Sequence, residues 1–82
     1  MIVKYFAWLK NYTNVDEEII NDPSVVDIVT LKKFLLKKYP NMKQFLEKDG
    51  LIRVAINLSY TIENVDIKPD DEIALFPPVS GG

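Results

Sequence analysis

The group on this chain best suited to chemistry is not a side chain but the α-carboxylate of Gly82. It closes the stretch Phe76-Pro77-Pro78-Val79-Ser80-Gly81-Gly82. Glycine has no Cβ, so Gly81 and Gly82 can thread a channel too narrow for any other residue. A terminal carboxylate is a poor electrophile until it is activated, for example as an acyl-adenylate. Once activated, its unhindered carbonyl accepts a nucleophile. If that nucleophile is sulfide or a persulfide, the product is a thiocarboxylate, a potent sulfur nucleophile in its turn. The chain has no cysteine, so it cannot carry sulfur as a persulfide of its own. It has no histidine either, which removes the commonest general base and metal ligand and the usual activator of a serine. The scattered carboxylates, lysines, tyrosines and hydroxyls form no set of nucleophile, base and orienter. The competing reading of the tail is a frayed end or an expression scar.

Several elements must position that carboxylate. Pro77 and Pro78 remove two consecutive N–H donors, so they stop a strand and favour an extended backbone beyond it. The strand they stop is Glu72 to Phe76, entered through a turn at Lys68-Pro69-Asp70-Asp71. Ile2 to Leu9 is dense in β-branched and aromatic residues and predicts a strand with neither face clearly polar, hence a central one, covered on one side and partly shielded on the other. Phe6 and Trp8 on it are expected in the core, and Asn11 to Asn14 predicts a turn. Asp22-Pro23-Ser24 breaks the next segment. Val25 to Val29 predicts a second strand, although Ile28, Leu31 and Leu35 could equally share one helical face.

Thr30 is expected to N-cap the main helix, Leu31 to Tyr39, which Pro40 ends. Leu31, Phe34, Leu35 and the stem of Lys38 share a face, while Lys32, Lys33 and Lys37 point outward. Asn41 to Lys48 predicts a short second helix carrying Met42, Phe45 and Leu46, and Asp49-Gly50 a turn. Leu51 to Asn57 predicts a strand with Ile52, Val54 and Ile56 on one face, paired as a hairpin with Ser59 to Ile62. The order is an α+β domain, a mixed sheet of four to five strands with one main helix and one short helix. The β-grasp arrangement satisfies it, with the first and last strands as central parallel neighbours. Residues 1–82 are expected to form one domain with a flexible Gly-Gly tail.

Composition narrows the partners. Hydrophobic residues at 48% suffice for a small core, and 27% charged residues mark a globular rather than a disordered chain. Ten basic residues against twelve acidic ones give a net charge of −2, which argues against a nucleic-acid partner. Lys32, Lys33 and Lys37 form the only basic patch and read as a solvated helix face. Asp16, Glu17 and Glu18 read as a solvated loop rather than a metal site, and no metal is expected. No apolar run is long enough to span a bilayer and no signal peptide opens the chain, so a cytoplasmic location is the default expectation.

Val54-Ala55-Ile56-Asn57 and Asp71-Glu72-Ile73-Ala74-Leu75-Phe76-Pro77-Pro78-Val79-Ser80-Gly81-Gly82 resemble the small subunit of molybdopterin synthase. This is the MoaD group of ubiquitin-like, β-grasp sulfur carriers. The likeness is strong over roughly the last thirty residues and looser through Ile2 to Ala7 and Leu31 to Pro40. The ending is specific, because thiamine-pathway sulfur carriers also finish on Gly-Gly but usually lack Pro-Pro. The chain departs from the family at Asp70, where glycine commonly precedes the Asp-Glu pair, and 11–29 matches no motif.

The resemblance implies that a ubiquitin-activating-like adenylyltransferase uses ATP to adenylate Gly82, which then becomes a thiocarboxylate. The chain itself would bind no cofactor and would be a non-catalytic subunit of a sulfurtransferase. Gly81, Ser80 and Val79 would thread the active site of the large subunit, donating sulfur to cyclic pyranopterin monophosphate to form the dithiolene of molybdopterin. Phe76, Pro77 and Pro78 would contact that subunit in a heterotetramer of two small and two large chains. For Phe76, plain core is the alternative. Other readings are a ubiquitin-like modifier conjugated to lysines through Gly82, a carrier for thiamine thiazole or a transfer RNA base, and a structural domain with an irrelevant tail.

Overall fold

The computed structural model describes residues 1–47 and 51–77. Strand β1 (Ile2–Tyr5) alternates strictly, with Val3 and Tyr5 buried beneath the helices and Ile2 and Lys4 on the opposite face. Helix α1 (Lys10–Thr13) and edge strand β2 (Glu17–Ile19) follow, then the main helix α2 (Ile28–Lys38) and the short α3 (Lys43–Leu46). Strands β3 (Arg53–Ile56), β4 (Ser59–Thr61) and β5 (Glu72–Phe76) complete one five-stranded sheet in the order β2-β1-β5-β3-β4. The pairing of β1 with β5 is parallel, Val3 opposite Ile73 and Tyr5 opposite Leu75, and all other pairs are antiparallel. The first and last strands are therefore central neighbours, as the sequence predicts. Val3, Leu9, Leu31, Leu35, Met42, Ile73 and Leu75 fill the space between sheet and helices with essentially no exposure.

Several local expectations fail, each for a visible reason. The first strand stops at Tyr5 rather than running to Leu9, because Ala7 turns left-handed (φ 54°). A single 3₁₀ turn, Ala7–Leu9, then leads into α1, so the turn expected at Asn11 to Asn14 is instead a short helix that Asn14 closes in the left-handed region (φ 63°). Phe6 and Trp8 consequently leave the core and are 41% and 38% exposed.

The β-branched run Val25 to Val29 is not a strand. Only Asp27 makes a bridge, to Asp66, and α2 already begins at Ile28. Asp27, not Thr30, is the N-cap: its carboxylate accepts from the Thr30 amide at 2.8 Å, and the Thr30 hydroxyl accepts from the Asp27 amide at 3.0 Å. This reciprocal capping box satisfies orphan donors of the first turn and outweighs the β preference of Val25 to Val29. The predicted helix from Asn41 to Lys48 divides into a 3₁₀ turn, Pro40–Met42, and α3, with Met42 and Leu46 buried.

The acidic run is a further correction. Glu17 and Glu18 lie in β2, opposite Lys4 and Val3, rather than in a loop. Glu18 turns inward and accepts from the hydroxyl of Tyr5 at 2.6 Å, from the hydroxyl of Tyr39 and from Nζ of Lys38. Burial works to raise its carboxyl, but the donors Lys38, Tyr39 and Tyr5 prevail and hold it below the usual glutamate value. Burial, reinforced by Glu18, pushes the Tyr39 hydroxyl up to about 12 and raises Tyr5 as well. One carboxylate thus ties edge strand, central strand and main helix together.

Candidate functional site: the strand leading to the tail

Strand β5 is held at both ends. At its start, the Asp71 carboxylate accepts from the Lys68 amide at 2.8 Å and from the Asn57 side-chain amide at 2.9 Å. Those amides hold the Asp71 carboxyl below its ordinary range, the Lys68 backbone bond being the main cause. Asn57 also pairs its backbone N–H with the Glu72 carbonyl (2.8 Å), and its side-chain oxygen accepts from the Glu72 amide (3.0 Å). The turn itself closes with the Asp71 amide donating to the Lys68 carbonyl at 3.0 Å. Asp70 keeps a negative φ in this turn, so the residue that departs from the resembled family needs no glycine there.

At its far end, β5 divides the labour of its side chains between two faces. Ile73 and Leu75 enter the core. Glu72, Ala74 and Phe76 face away from the helices, and Glu72 pairs with Lys4 at 3.0 Å. Phe76 is half-buried, stacked on Phe6 with ring centroids 4.7 Å apart and planes within 12°, and it meets Tyr60 at 5.6 Å. Ala55 and Ala74 lie opposite each other between these rings, and their small side chains let Tyr60 reach across β3 toward Phe76. The Phe6 amide donates to the Leu75 carbonyl at 3.0 Å, fixing the stack to the backbone ladder. A second aromatic group, Trp8, Tyr12 and Phe45, packs beyond the end of β1, with Trp8 5.0 Å from Phe45.

Of the residues that the sequence singles out, Phe76 and Pro77 are therefore placed. Phe76 belongs to an open aromatic face rather than to the core, and Pro77 is buried just after it. Pro78, Val79, Ser80, Gly81 and Gly82 lie outside the described residues. Phe6 and Tyr60 are the members of this face that the sequence reading does not assign to it. The signal for them is strand register: Tyr60 lies opposite Ala55, which lies opposite Ala74. Among the described residues, every buried side-chain polar atom has a partner. The body thus presents a half-open aromatic face immediately before the tail sequence, while the buried polar side-chain atoms among the described residues are internally satisfied.

The ThiS family model matches residues 3–82. The chain belongs to the ThiS family. A molybdopterin synthase sulfur carrier subunit from Arabidopsis thaliana is 29% identical over 80 residues, covering 98% of this chain and 80% of that one. Among solved structures, a Pyrococcus furiosus protein assigned as subunit 1 of a molybdopterin converting factor superposes with a TM-score of 0.79 at 30% identity, covering 95% of each chain. The small archaeal modifier protein 1 of Methanosarcina acetivorans superposes with a TM-score of 0.76 at 29% identity, covering 99% of this chain and 94% of that one. The ubiquitin-like β-grasp fold of this ThiS-family chain is thus shared by proteins named as carriers and as modifiers. No helix among the described residues is long and apolar enough to cross a membrane.

Proposed function

We propose that this ThiS-family chain is the sulfur carrier subunit of molybdopterin synthase, with the Gly82 carboxylate as the carrying group. A ubiquitin-activating-like adenylyltransferase transfers AMP from ATP to that carboxylate, releasing pyrophosphate. Sulfide, or a persulfide followed by reduction, then displaces AMP and leaves the thiocarboxylate. The loaded tail enters the large subunit, with Val79, Ser80 and Gly81 in the channel and Phe76, Pro77 and Pro78 at its mouth. There the thiocarboxylate sulfur attacks cyclic pyranopterin monophosphate on the way to the dithiolene. The chain supplies sulfur and position, and the large subunit supplies the acid–base groups, two of each subunit forming the working assembly. The chain needs no bound cofactor of its own, since ATP is consumed by the activating partner.

The observation that carries this reading is the placement of Phe76. The last residue of the central strand lies on an open aromatic face, immediately before the sequence that ends in Gly-Gly. That arrangement suits a body that docks beside a channel and sends its terminus inside. The decisive experiment is intact mass spectrometry of the chain after incubation with the activating enzyme, ATP and a sulfur donor. Exchange of one oxygen for sulfur at Gly82, discharged by large subunit and precursor, is the expected result. A terminus that stays a carboxylate under those conditions defeats the proposal.

A second reading is kept for one observation, the structural match to small archaeal modifier protein 1 at 29% identity. The same activated carboxylate would then acylate lysine amines. High-molecular-weight adducts that vanish when Gly82 is deleted would favour it.

A further inference from the structure

A groove of about 680 Å³ runs along the sheet edge opposite β2, between α2 and the hairpin of β3 and β4. Its floor is apolar, with Ile28 and Leu36 from α2 and Ile52 and Val54 from the β3 side. The exposed rim of the hairpin is the segment Leu58-Ser59-Tyr60-Thr61-Ile62, which has neither a charge nor a proline. Edge strands normally carry such residues to block pairing with other chains. Here the opposite holds: Leu58, Tyr60 and Ile62 are 87%, 70% and 103% exposed. Leu58 also holds a left-handed conformation (φ 71°) in the turn, where a glycine would be the unstrained choice.

The facing wall is cationic. Helix α2 carries Lys32, Lys33, Lys37 and Lys38 and no acidic residue from Ile28 to Lys38. Lys32 and Lys33 line the groove together with Arg53, and none of the three joins an ion pair among the described residues. The acids of the groove, Glu47 and Glu63, lie on the connections after α3 and β4 rather than on this wall.

The groove is also preformed. The Val29 amide donates to the Asn64 side-chain oxygen at 3.0 Å, Asn64 donates to Asp27 at 3.3 Å, and the Ile67 amide donates to the Val26 carbonyl at 2.8 Å. These bonds fix the connection after β4 to the start of α2, so an occupant would not have to order it.

We propose that this groove receives an extended, acidic partner segment that adds to β4 as a sixth strand. Main-chain hydrogen bonds to the free edge would supply affinity, as in other cases of strand addition. Alternate apolar side chains would enter the floor, and flanking carboxylates would meet Lys32, Lys33 and Arg53. A second copy of the chain fits less well, because edge-to-edge pairing would bring two lysine walls together. The groove shares Tyr60 with the aromatic face, but its floor and its lysine wall do not include Phe6 or Phe76, so the inference does not rest on the sulfur-carrier reading.

The test titrates the isotope-labelled full chain with a synthetic peptide of alternating isoleucine and threonine flanked by aspartates, read by amide chemical shifts. Shifts confined to 58–64 and to the groove wall of α2, with slowed hydrogen exchange in β4, are expected. Joint replacement Lys32→Glu and Lys33→Glu, or high salt, should weaken binding roughly tenfold. The variant Ile62→Asp, at an exposed position, should weaken it separately through lost apolar contact. No shifts at millimolar peptide, equal binding of a lysine-flanked version, or shifts only around Phe6 and Phe76 would each overturn the proposal. So would sedimentation showing that the edge is occupied by a second copy.

Discussion

Leu75 and Phe76 are consecutive residues of one strand, both large and apolar, and they have opposite tasks. Leu75 points into the space under α2 and is essentially fully buried, so its contribution is packing. Phe76 points to the other face, where Phe6 and Tyr60 stack around it and it stays half-buried among the described residues. The strand alternation that builds the core on one side builds a half-open aromatic surface on the other. Stability and the proposed docking thereby fall to neighbouring residues. Mutations can separate them.

The largest stability effect should come from the inner side. Leu75→Ala removes a fully buried side chain and should cost about 2–5 kcal/mol in denaturant unfolding. Glu18→Gln should cost about 1–3 kcal/mol, because the neutral amide meets two hydroxyls and a lysine that were arranged around an anion. This variant also carries a pH signature. Because the folded-state carboxyl of Glu18 lies below its unfolded value of about 4.5, its stabilisation is present above that value. It is lost as pH falls through the lower folded value, so the acid limb of the stability profile should flatten in Glu18→Gln. An unchanged acid limb would show that the Glu18 cluster adds nothing to the fold.

Tyr39→Phe should act at the other end of the scale. The Tyr39 hydroxyl is pushed up from 10 to about 12, so it favours the folded state below pH 10 and this contribution fades as pH rises toward 12. The variant should lose less stability than the parent over that interval in alkaline thermal melts. Phe76→Ala should have the smallest stability effect, about 1 kcal/mol. It should nevertheless weaken capture by the large subunit at least tenfold in a titration of the two proteins. Should Phe76→Ala unfold the chain as badly as Leu75→Ala, the distinction between the two faces would collapse.

The architecture was legible where periodicity and chemistry agreed. Ile73, Leu75, Val54 and Ile56 alternate as strands should, and Pro77 stops β5 where the sequence places it. Two of the misreadings arise where intrinsic preference is overruled by a local bond or a backbone angle, and the third where the deciding partners are remote in sequence. Val25 to Val29 prefers a strand, yet the reciprocal bonds of Asp27 and Thr30 start a helix inside it. Trp8 looks like a core residue until Ala7 turns left-handed and carries it outward. Glu18 looked solvated because its partners, Tyr5, Lys38 and Tyr39, are remote in sequence. At the candidate site, Phe76 was readable from its position before Pro77, whereas Phe6 and Tyr60 needed the sheet register.

The parallel pairing of β1 with β5 has a consequence in time. The two strands at the centre of the sheet come from nearly opposite ends of the chain, Ile2 lying opposite Glu72. Contacts of such long sequence separation are slow to close, and here they cannot close before β5 has been synthesised. During translation the aromatic face and the lysine-walled groove therefore have no finished sheet to rest on. Under the docking proposed for either surface, only chains whose β5 is already paired would be recognised.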